Sequence, residues 1–261
     1  MTTKLASFLD MVEVNHGPKP ELGRYFLETA ESFRKLGVTL HMARGFDRLI
    51  EVHRQNLSSW HPLVPTLDPS MSDIAEENAI YIEGQVNGEP VATMALRRFD
   101  WLDTSLRREW ESGRFAYRDP ANQMQPQEEW RADAPMAEDI TGQAVFCGGI
   151  WYRRDYRARG LSPLNIQLAW GLALTTWNAD YLFGVMETGA LSRALLPGYG
   201  YPAVEPGLLV TGGFRTVDVN LVWYPTDDLH ARVLNCLSAA PDHARQMDRQ
   251  NTYIGRSRKK A

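Results

Sequence analysis

The chain has 261 residues, of which 44% are hydrophobic and 23% are charged, and its net charge is −4. These proportions are typical of a globular protein with a sizeable core, and they exclude a disordered chain, a fibrous repeat and a disulfide-stapled miniprotein. The slight negative charge argues against nucleic-acid binding, which needs a basic surface. Two cysteines argue against a disulfide framework and fit a reducing cytoplasm.

Neither a secretory signal nor a membrane span is expected. Residues 1–17 lack the apolar run that a signal requires, and the chain contains no window of about 18 uncharged apolar residues. We therefore expect a cytoplasmic protein whose partners include neither a nucleic acid nor a membrane.

An N-terminal extension, residues 1–37, is predicted to contain one helix. Its first 20 residues are expected to be irregular, because the closing Gly-Pro-Lys-Pro cannot continue a helix. Apolar residues at helical spacing predict a helix over 21–36, with Gly37 at the position of a C-terminal cap. A β-prone run at 38–42 predicts a strand, and 46–57 has the spacing of a second helix.

A β-hairpin is predicted next. Two β-rich runs, 79–86 and 91–98, flank Asn87 and Gly88. Both of these residues tolerate the positive φ of a tight turn, so the pattern indicates that the two strands are adjacent and antiparallel.

Residues 99–140 differ from the rest in character. The segment has ten acidic residues, five arginines and three tryptophans, Trp101, Trp110 and Trp130. A short helix is expected around 102–111, and the remainder is predicted to be a long excursion, a kind of loop that is usually functional or disordered.

The pattern of the remaining residues is regular. The helix predicted at 161–177 is apolar around most of its circumference, which indicates that it is buried. The order of elements predicts a mixed α/β sheet covered by helices. The predicted strands are 144–152, 181–186, 208–211 and 217–224, and the other helices are 190–196 and one that starts near Thr226 within the C-terminal segment 225–261, which ends in a basic tail.

The residues with the clearest chemical meaning are Arg157-Ala158-Arg159-Gly160-Leu161-Ser162, between a predicted strand and a predicted helix. A glycine turn at a helix N-terminus is an anion site, because the first N–H groups lack partners and the helix dipole adds about half a positive charge. Gly160 lets a phosphate approach the main chain. The bare pattern Arg-x-x-Gly-x-small arises by chance in roughly a few chains in ten, so an ordinary strand–helix connection is the alternative.

Together with its flanks, this segment resembles the GNAT superfamily of N-acetyltransferases. Arg157, Gly160 and Ser162 match the family motif Arg/Gln-x-x-Gly-x-Gly/Ala, with serine as the small third residue. Gly200-Tyr201 stands where the family has Gly-Phe before its last two strands.

The resemblance extends over residues 38–224 in element order, with 99–140 as an insertion. It implies an α/β (α+β) fold with a mixed, mostly antiparallel sheet that is splayed at the cofactor strand and has helices on both faces. The extra N-terminal and C-terminal helices would then either cover the sheet or build a homodimer.

The resemblance also implies that acetyl-CoA or another acyl-CoA is the co-substrate. No metal is expected, because the sequence has no cluster of histidine, cysteine and acidic residues with metal-ligand spacing. The pantetheine arm would pair with the main chain of the cofactor strand, and the pyrophosphate would bind the N–H groups of the turn. The implied cofactor-binding residues are Ile150, Trp151, Tyr152, Arg157, Ala158, Arg159, Gly160, Leu161 and Ser162.

Acyl transfer to an amine needs a base for the ammonium and a proton donor for the leaving thiolate. Glu187, just after a predicted strand, is the candidate base; the alternative is that it caps the next helix. Many family members have a tyrosine four residues before the Gly-Phe pair, where this chain has Leu196. Tyr199 is therefore the candidate acid, and a packing role is its alternative.

Other reactive side chains carry less weight. Cys147 lies mid-strand among apolar neighbours and is expected to be a buried, inert thiol. His41 and His53 are isolated; His41 either faces the acceptor site or has an ordinary structural role. The sequence contains no cluster with metal-ligand spacing and no dinucleotide-binding motif.

We therefore expect an N-acyltransferase that acts on a small amine-bearing molecule by direct transfer. The acidic insertion would lie at the rim of the acceptor cleft and favour a cationic acceptor; a solvated surface loop is the alternative. Three other functions remain open: a non-catalytic acyl-CoA-binding or regulatory module, an interaction domain with a vestigial site, and an autoinducer-synthase-like acyltransferase, which residues 110–115 faintly resemble.

Overall fold

The computed structural model describes residues 4–187, 201–212 and 215–238, which form a nine-stranded sheet. The strands pair in the order β1-β2-β3-β4-β6-β7-β9-β8-β5, and every pair is antiparallel except β6–β7. They are β1 (Ala6–Ser7), β2 (Thr39–Arg44), β3 (Ala79–Val86), β4 (Glu89–Trp101), β5 (Glu129–Ala132), β6 (Gly142–Tyr152), β7 (Tyr181–Glu187), β8 (Ala203–Gly212) and β9 (Arg215–Pro225).

Helices cover both faces of this sheet, as the sequence predicts. Helices α2, α7 and α8 contribute to one hydrophobic core, and α3 and α4 contribute to a second core on the opposite face. The helices are α1 (Phe8–Met11), α2 (Lys19–Lys35), α3 (Asp47–Gln55), α4 (Leu106–Glu111), α5 (Pro120–Gln123), α6 (Met136–Asp139), α7 (Leu161–Trp177) and α8 (residues 226–238). The prediction of a mixed, mostly antiparallel sheet with helices on both faces is confirmed.

The expectation that the first 20 residues are irregular is wrong in two places. Residues 6–11 form β1 and α1, and β1 pairs with β2 at the edge of the sheet. Helix α2 begins at Lys19 and includes Pro20 in its first turn. A proline is tolerated there because the N–H groups of the first turn have no intrahelical partner.

The insertion at 99–140 is folded against the sheet, so the interpretation as a solvated surface loop is wrong. Strand β4 extends to Trp101, and β5 adds an edge strand that pairs with β8. Its three tryptophans are at most 5% exposed and belong to the core on the α3 side. Phe115 packs among them, 5.1 Å from Trp110 and 5.2 Å from Phe146 between ring centroids. Burial of these large apolar rings accounts for the order of the segment.

The C-terminal half follows its predicted pattern closely. Helix α7 has its predicted bounds, and β8 and β9 are longer than the predicted runs. The short helix predicted at 190–196 lies outside the described residues. Within the described ranges, no helix is long and apolar enough to cross a bilayer.

Candidate active site

The candidate site lies where the two parallel strands of the sheet separate. Ala144–Phe146 of β6 pair with Tyr181–Phe183 of β7, and the pairing ends there. Beyond this point β6 pairs with β4 as far as Tyr152, and β7 pairs with β9 as far as Glu187. The main-chain edges of residues 148–152 and 184–187 therefore border an opening in the sheet, which is the splay that the sequence resemblance implied.

A β-bulge in β6 accompanies this separation. Trp151 pairs with Thr93 and Gly148 pairs with Ala95, so β6 has one residue more than β4 between these pairs. Gly149 has φ +59, and its carbonyl oxygen accepts a hydrogen bond of 2.8 Å from the Thr93 hydroxyl. A bulge bends its strand and re-aims the backbone, and this bulge lies in the part of β6 that no longer pairs with β7.

The turn between β6 and the buried helix α7 is exposed to solvent. Residues 157–160 are exposed, whereas most of α7 is buried. Gly160 is the N-cap of α7 with φ +83, and a Cβ placed there would meet nothing within 4 Å. The first N–H groups of α7, those of Leu161 and Ser162, therefore follow directly after an exposed glycine. The dipole of α7 favours an anion at this end of the helix.

The side chains at the end of β6 are occupied by packing. Trp151 is 3% exposed, its ring stacks on Trp60 at 5.3 Å, and its indole N–H donates to the Ser59 hydroxyl at 3.1 Å. Ile150 and Tyr152 pack against the core on the opposite face. What these three predicted residues present to the opening is therefore their main chain, in line with a role in which the backbone binds.

The arginines of the turn are engaged in different ways. Arg157 donates from Nε to the Tyr152 carbonyl at 3.1 Å and from Nη2 to the Ser59 carbonyl at 3.0 Å. The Arg159 guanidinium lies 4.6 Å from the centre of the Tyr156 ring. Ala158, between them, has φ +58, a left-handed conformation that is unusual for alanine. Of the two arginines predicted to add positive charge to the turn, Arg157 thus binds carbonyl oxygens of the protein.

The structure describes one of the two predicted catalytic residues. Glu187 is exposed at the end of β7, opposite Val219 of β9. Tyr199 lies outside the described residues. A second phenol, Tyr201, stacks on Tyr224 at 4.6 Å, and its hydroxyl is 3.7 Å from where a Cβ of Gly184 would be. Because Gly184 is the first β7 residue beyond the paired segment, this hydroxyl lies at the opening. The resemblance gave Tyr201 only as the counterpart of the family's phenylalanine and gave its hydroxyl no role.

Cys147 is buried at the point where the strands separate. Burial raises the pKa of its thiol to about 12, so the thiol is protonated at neutral pH and is a poor nucleophile. The expectation of a buried thiol is confirmed. Among the described residues, no group of three or more histidine, cysteine or acidic side chains is arranged to hold a metal ion.

A buried ion pair near the bulge had not been predicted from the sequence. Glu83 of β3 is fully buried, and it accepts hydrogen bonds from Arg48 at 3.0 and 3.1 Å and from the Tyr81 hydroxyl at 2.9 Å. It lies opposite His41 on one side and Thr93 on the other. The charged pair fastens α3 to the sheet, and an acidic residue inside an apolar strand was its only sequence signal.

The chain is similar to several solved acyltransferases. One is an acetyltransferase of the GNAT family from Streptococcus pneumoniae, at 12% identity and a TM-score of 0.40, with 71% of this chain and 99% of that chain covered. Another is an aminoglycoside N(6')-acetyltransferase from Legionella pneumophila, at 12% identity and a TM-score of 0.41, with coverage of 74% and 95%. A CoA-dependent acyl-homoserine lactone synthase matches at 17% identity and a TM-score of 0.38, with coverage of 76% and 90%.

No protein-family model and no curated protein sequence matches the chain. The assignment of an activity therefore depends on the geometry of the opening between β6 and β7.

Proposed function

We propose that this chain is a CoA-dependent N-acyltransferase of the GNAT type that transfers an acetyl group to a small amine. The observation that carries the proposal is the opening between β6 and β7, which leads directly to the exposed turn at Gly160 and the start of α7. A strand edge binds an amide-containing arm by main-chain hydrogen bonds, and a helix N-terminus binds a phosphate. The strand edge and the helix N-terminus follow one another, and together they fit the pantetheine and pyrophosphate parts of CoA.

In this proposal the main chain of 150–152 binds the pantetheine arm and the N–H groups of 158–162 bind the pyrophosphate. The N–H group of Arg157, which the resemblance included, is left out because it donates to the Arg154 carbonyl at 3.4 Å. The amine nitrogen attacks the thioester carbonyl carbon, the C–S bond breaks, and the amide and a free thiol are formed. A thioester that lies beside the bulge would have the N–H groups near Ile150 available to its developing oxyanion. The backbone direction at Gly149 is what aims those groups.

We assign the proton transfers to residues at the ends of the opening. Glu187 at the end of β7 is the proposed base for the ammonium, and Tyr199 is the proposed acid for the thiolate. Tyr201 is a second candidate acid, because its hydroxyl lies near Gly184. A base or acid of this kind contributes roughly 10²- to 10⁴-fold to the rate.

The acceptor, the assembly and the location are parts of the same proposal. The acidic balance of residues 99–140 supports a cationic acceptor such as an amine or amino sugar, although Glu109 is already paired with Arg114 at 2.8 Å. In the segment 110–115, which faintly resembles an autoinducer synthase, Trp110 and Phe115 pack in the core at 1% exposure or less, whereas Glu111, Ser112 and Arg114 are exposed. We also propose that the protein is cytoplasmic and that it can form a homodimer.

Thiol release tests this proposal directly. The protein is given acetyl-CoA and a panel of small primary amines, and free thiol is followed with a chromogenic disulfide. We expect amine-dependent release that Glu187→Gln lowers about 100-fold, the low end of the range for a general base. Glu76→Gln, an exposed glutamate in the turn before β3, is the matched control and leaves the rate unchanged. Binding of acetyl-CoA without thiol release for any amine would instead support the non-catalytic module.

A further inference from the structure

The segment that joins α3 to β3 crosses the bulge of β6. We call residues 56–73 of this segment the strap. Its single turn Pro65–Leu67 lies over the bulge, since Leu67 Cδ1 would be 3.2 Å from a Cβ at Gly148 and 3.4 Å from one at Gly149. The strap therefore covers the part of β6 beside which the proposed thioester would lie.

One part of the strap is held from inside the protein. Arg97 of β4 is 5% exposed and donates hydrogen bonds to the Thr66 carbonyl at 2.6 Å, to the Thr66 hydroxyl at 2.9 Å and to the Ser72 hydroxyl at 2.7 Å. A fourth hydrogen bond goes to the Asp73 carbonyl at 3.2 Å, and a buried guanidinium with four such contacts is costly to displace. We expect this part of the strap to stay in place.

The other part of the strap is held from the turn before α7 and by Trp151 of β6, which stacks on Trp60 and donates to the Ser59 hydroxyl. Arg157 bridges the Ser59 carbonyl of the strap and the Tyr152 carbonyl of β6, and Arg154 donates to the Ser58 carbonyl at 3.2 Å. Arg157 and Arg154 are exposed, unlike Arg97. The turn that would bind pyrophosphate thus also fastens the strap.

The side chain of Arg157 binds the strap, so it is not available to bind a phosphate in a bidentate manner. Bidentate binding of phosphate by arginine uses two parallel N–H groups, such as those on Nε and one Nη. In Arg157 both Nε and Nη2 donate to carbonyl oxygens of the protein. The pyrophosphate is then left to the main-chain N–H groups of the turn and to Arg159.

We infer that Arg157 is a positioning residue that couples CoA binding to the order of residues 56–64 of the strap, the part that Arg97 does not hold. The inference rests on the proposed function. A pyrophosphate bound to the main chain of 158–162 fixes the backbone next to Arg157, so less conformational entropy remains to be lost when its guanidinium bridges Ser59 and Tyr152. By linkage, ordering of this part of the strap raises the affinity for CoA by the same factor by which CoA binding favours the ordered strap.

Hydrogen exchange measured with and without CoA tests the coupling. In the wild-type protein we expect CoA to slow exchange in peptides covering 157–164 and also in those covering 56–64. In Arg157→Ala, CoA still protects 157–164 but no longer protects 56–64. Without ligand, exchange at 56–64 is about tenfold faster in Arg157→Ala than in wild type, the effect expected for lost hydrogen bonds to a charged group.

Arg159→Ala is the matched control, because it removes an arginine from the same turn that is stacked on Tyr156. We expect it to weaken CoA binding while CoA at saturation still protects 56–64. Arg157→Lys, which can reach one of the two carbonyls, restores part of the protection. In steady-state kinetics, Arg157→Ala raises the KM of the amine more than it raises the Kd of CoA, and Arg159→Ala does the reverse.

The outcomes separate the two claims. If CoA protects 157–164 of the wild type but not 56–64, or protects 56–64 equally in Arg157→Ala, the coupling is overturned and the proposed function stands. If CoA protects neither region of the wild type, the proposed function is overturned together with the coupling.

Discussion

The two halves of strand β6 serve different purposes. The first half, Ala144–Phe146, pairs with β7, and its three residues are at most 1% exposed. The second half, residues 148–152, leaves β7 and borders the opening. The change occurs at a close backbone approach, where a Cβ on Gly184 of β7 would lie 3.1 Å from the Cys147 carbonyl.

Within this one strand, the residues that stabilise the fold by burial are thus different from the residues that we propose bind the ligand. Side chains of the first half stabilise the sheet through the hydrophobic effect, whereas the second half and the turn after it offer main-chain groups. Substitutions in the first half should therefore change stability and leave ligand binding intact, and substitutions at the turn should do the opposite.

The largest expected effect is that of Phe146→Ala. Phe146 is 1% exposed and contacts Phe115 and Phe183 with ring centroids 5.2 and 5.5 Å away. Its truncation should cost about 3–5 kcal/mol, or roughly 10 °C in Tm, because it leaves a cavity in an aromatic cluster. Thermal unfolding followed by circular dichroism measures this, and the rise in Tm caused by acetyl-CoA should persist.

Leu102→Ala is the control for that truncation, since Leu102 is 75% exposed. It should change the free energy of unfolding by less than about 0.5 kcal/mol. Equal effects of the two substitutions would contradict the role of the first half of β6.

A smaller effect is expected from Cys147, which marks the boundary between the halves. Its pKa is raised to about 12 by burial, so the folded protein keeps the thiol protonated while the unfolded chain ionises above about pH 9. The raised pKa therefore contributes stability below pH 9 that is lost as the pH rises. Between pH 9 and 10, wild type should lose about 1 kcal/mol more than Cys147→Ala.

Urea unfolding of both proteins at pH 8, 9 and 10 measures this difference. Parallel losses in wild type and Cys147→Ala would show that the thiol is not buried in solution.

The smallest effect is expected at Ala158 in the open turn. Its left-handed φ of +58 is strained for alanine, and glycine adopts it freely, but glycine also gains entropy in the unfolded chain. Ala158→Gly should therefore stabilise the protein by less than about 1 kcal/mol. Asn87→Gly, with φ +52 in a hairpin turn, is the control with a smaller gain, since asparagine tolerates this region. A clear loss of stability in Ala158→Gly would show that the turn has another conformation in solution.

Features with a local cause could be predicted from the sequence. The hairpin follows from Asn87-Gly88, and helix α7 follows from a glycine before it and an apolar run. Features that depend on distant partners could not. Strand β5 has four residues and exists because β8 lies beside it, and the contact of Arg157 with Ser59 joins residues 98 positions apart.

The site shows the same division. The turn at Gly160 could be predicted because it is continuous in sequence, whereas the opening depends on where β6 and β7 stop pairing. The pair Gly148-Gly149 was the available signal for the bulge, and a glycine inside an apolar strand is typical of one. The proximity of Tyr201 to Gly184 had no sequence signal, since it comes from the packing of Tyr201 on β9.

The most direct test of the central claim is thermal unfolding with and without acetyl-CoA, CoA and NAD. At 100 times its Kd a ligand adds about 2.7 kcal/mol, so acetyl-CoA should raise Tm by roughly 5–10 °C and NAD should not. Gly160→Glu should abolish the rise by placing a carboxylate at the phosphate site. Gly37→Glu, at an equally open glycine with φ +77, should retain it. No rise with either CoA compound at millimolar concentration, or an unchanged rise in Gly160→Glu, would contradict the account.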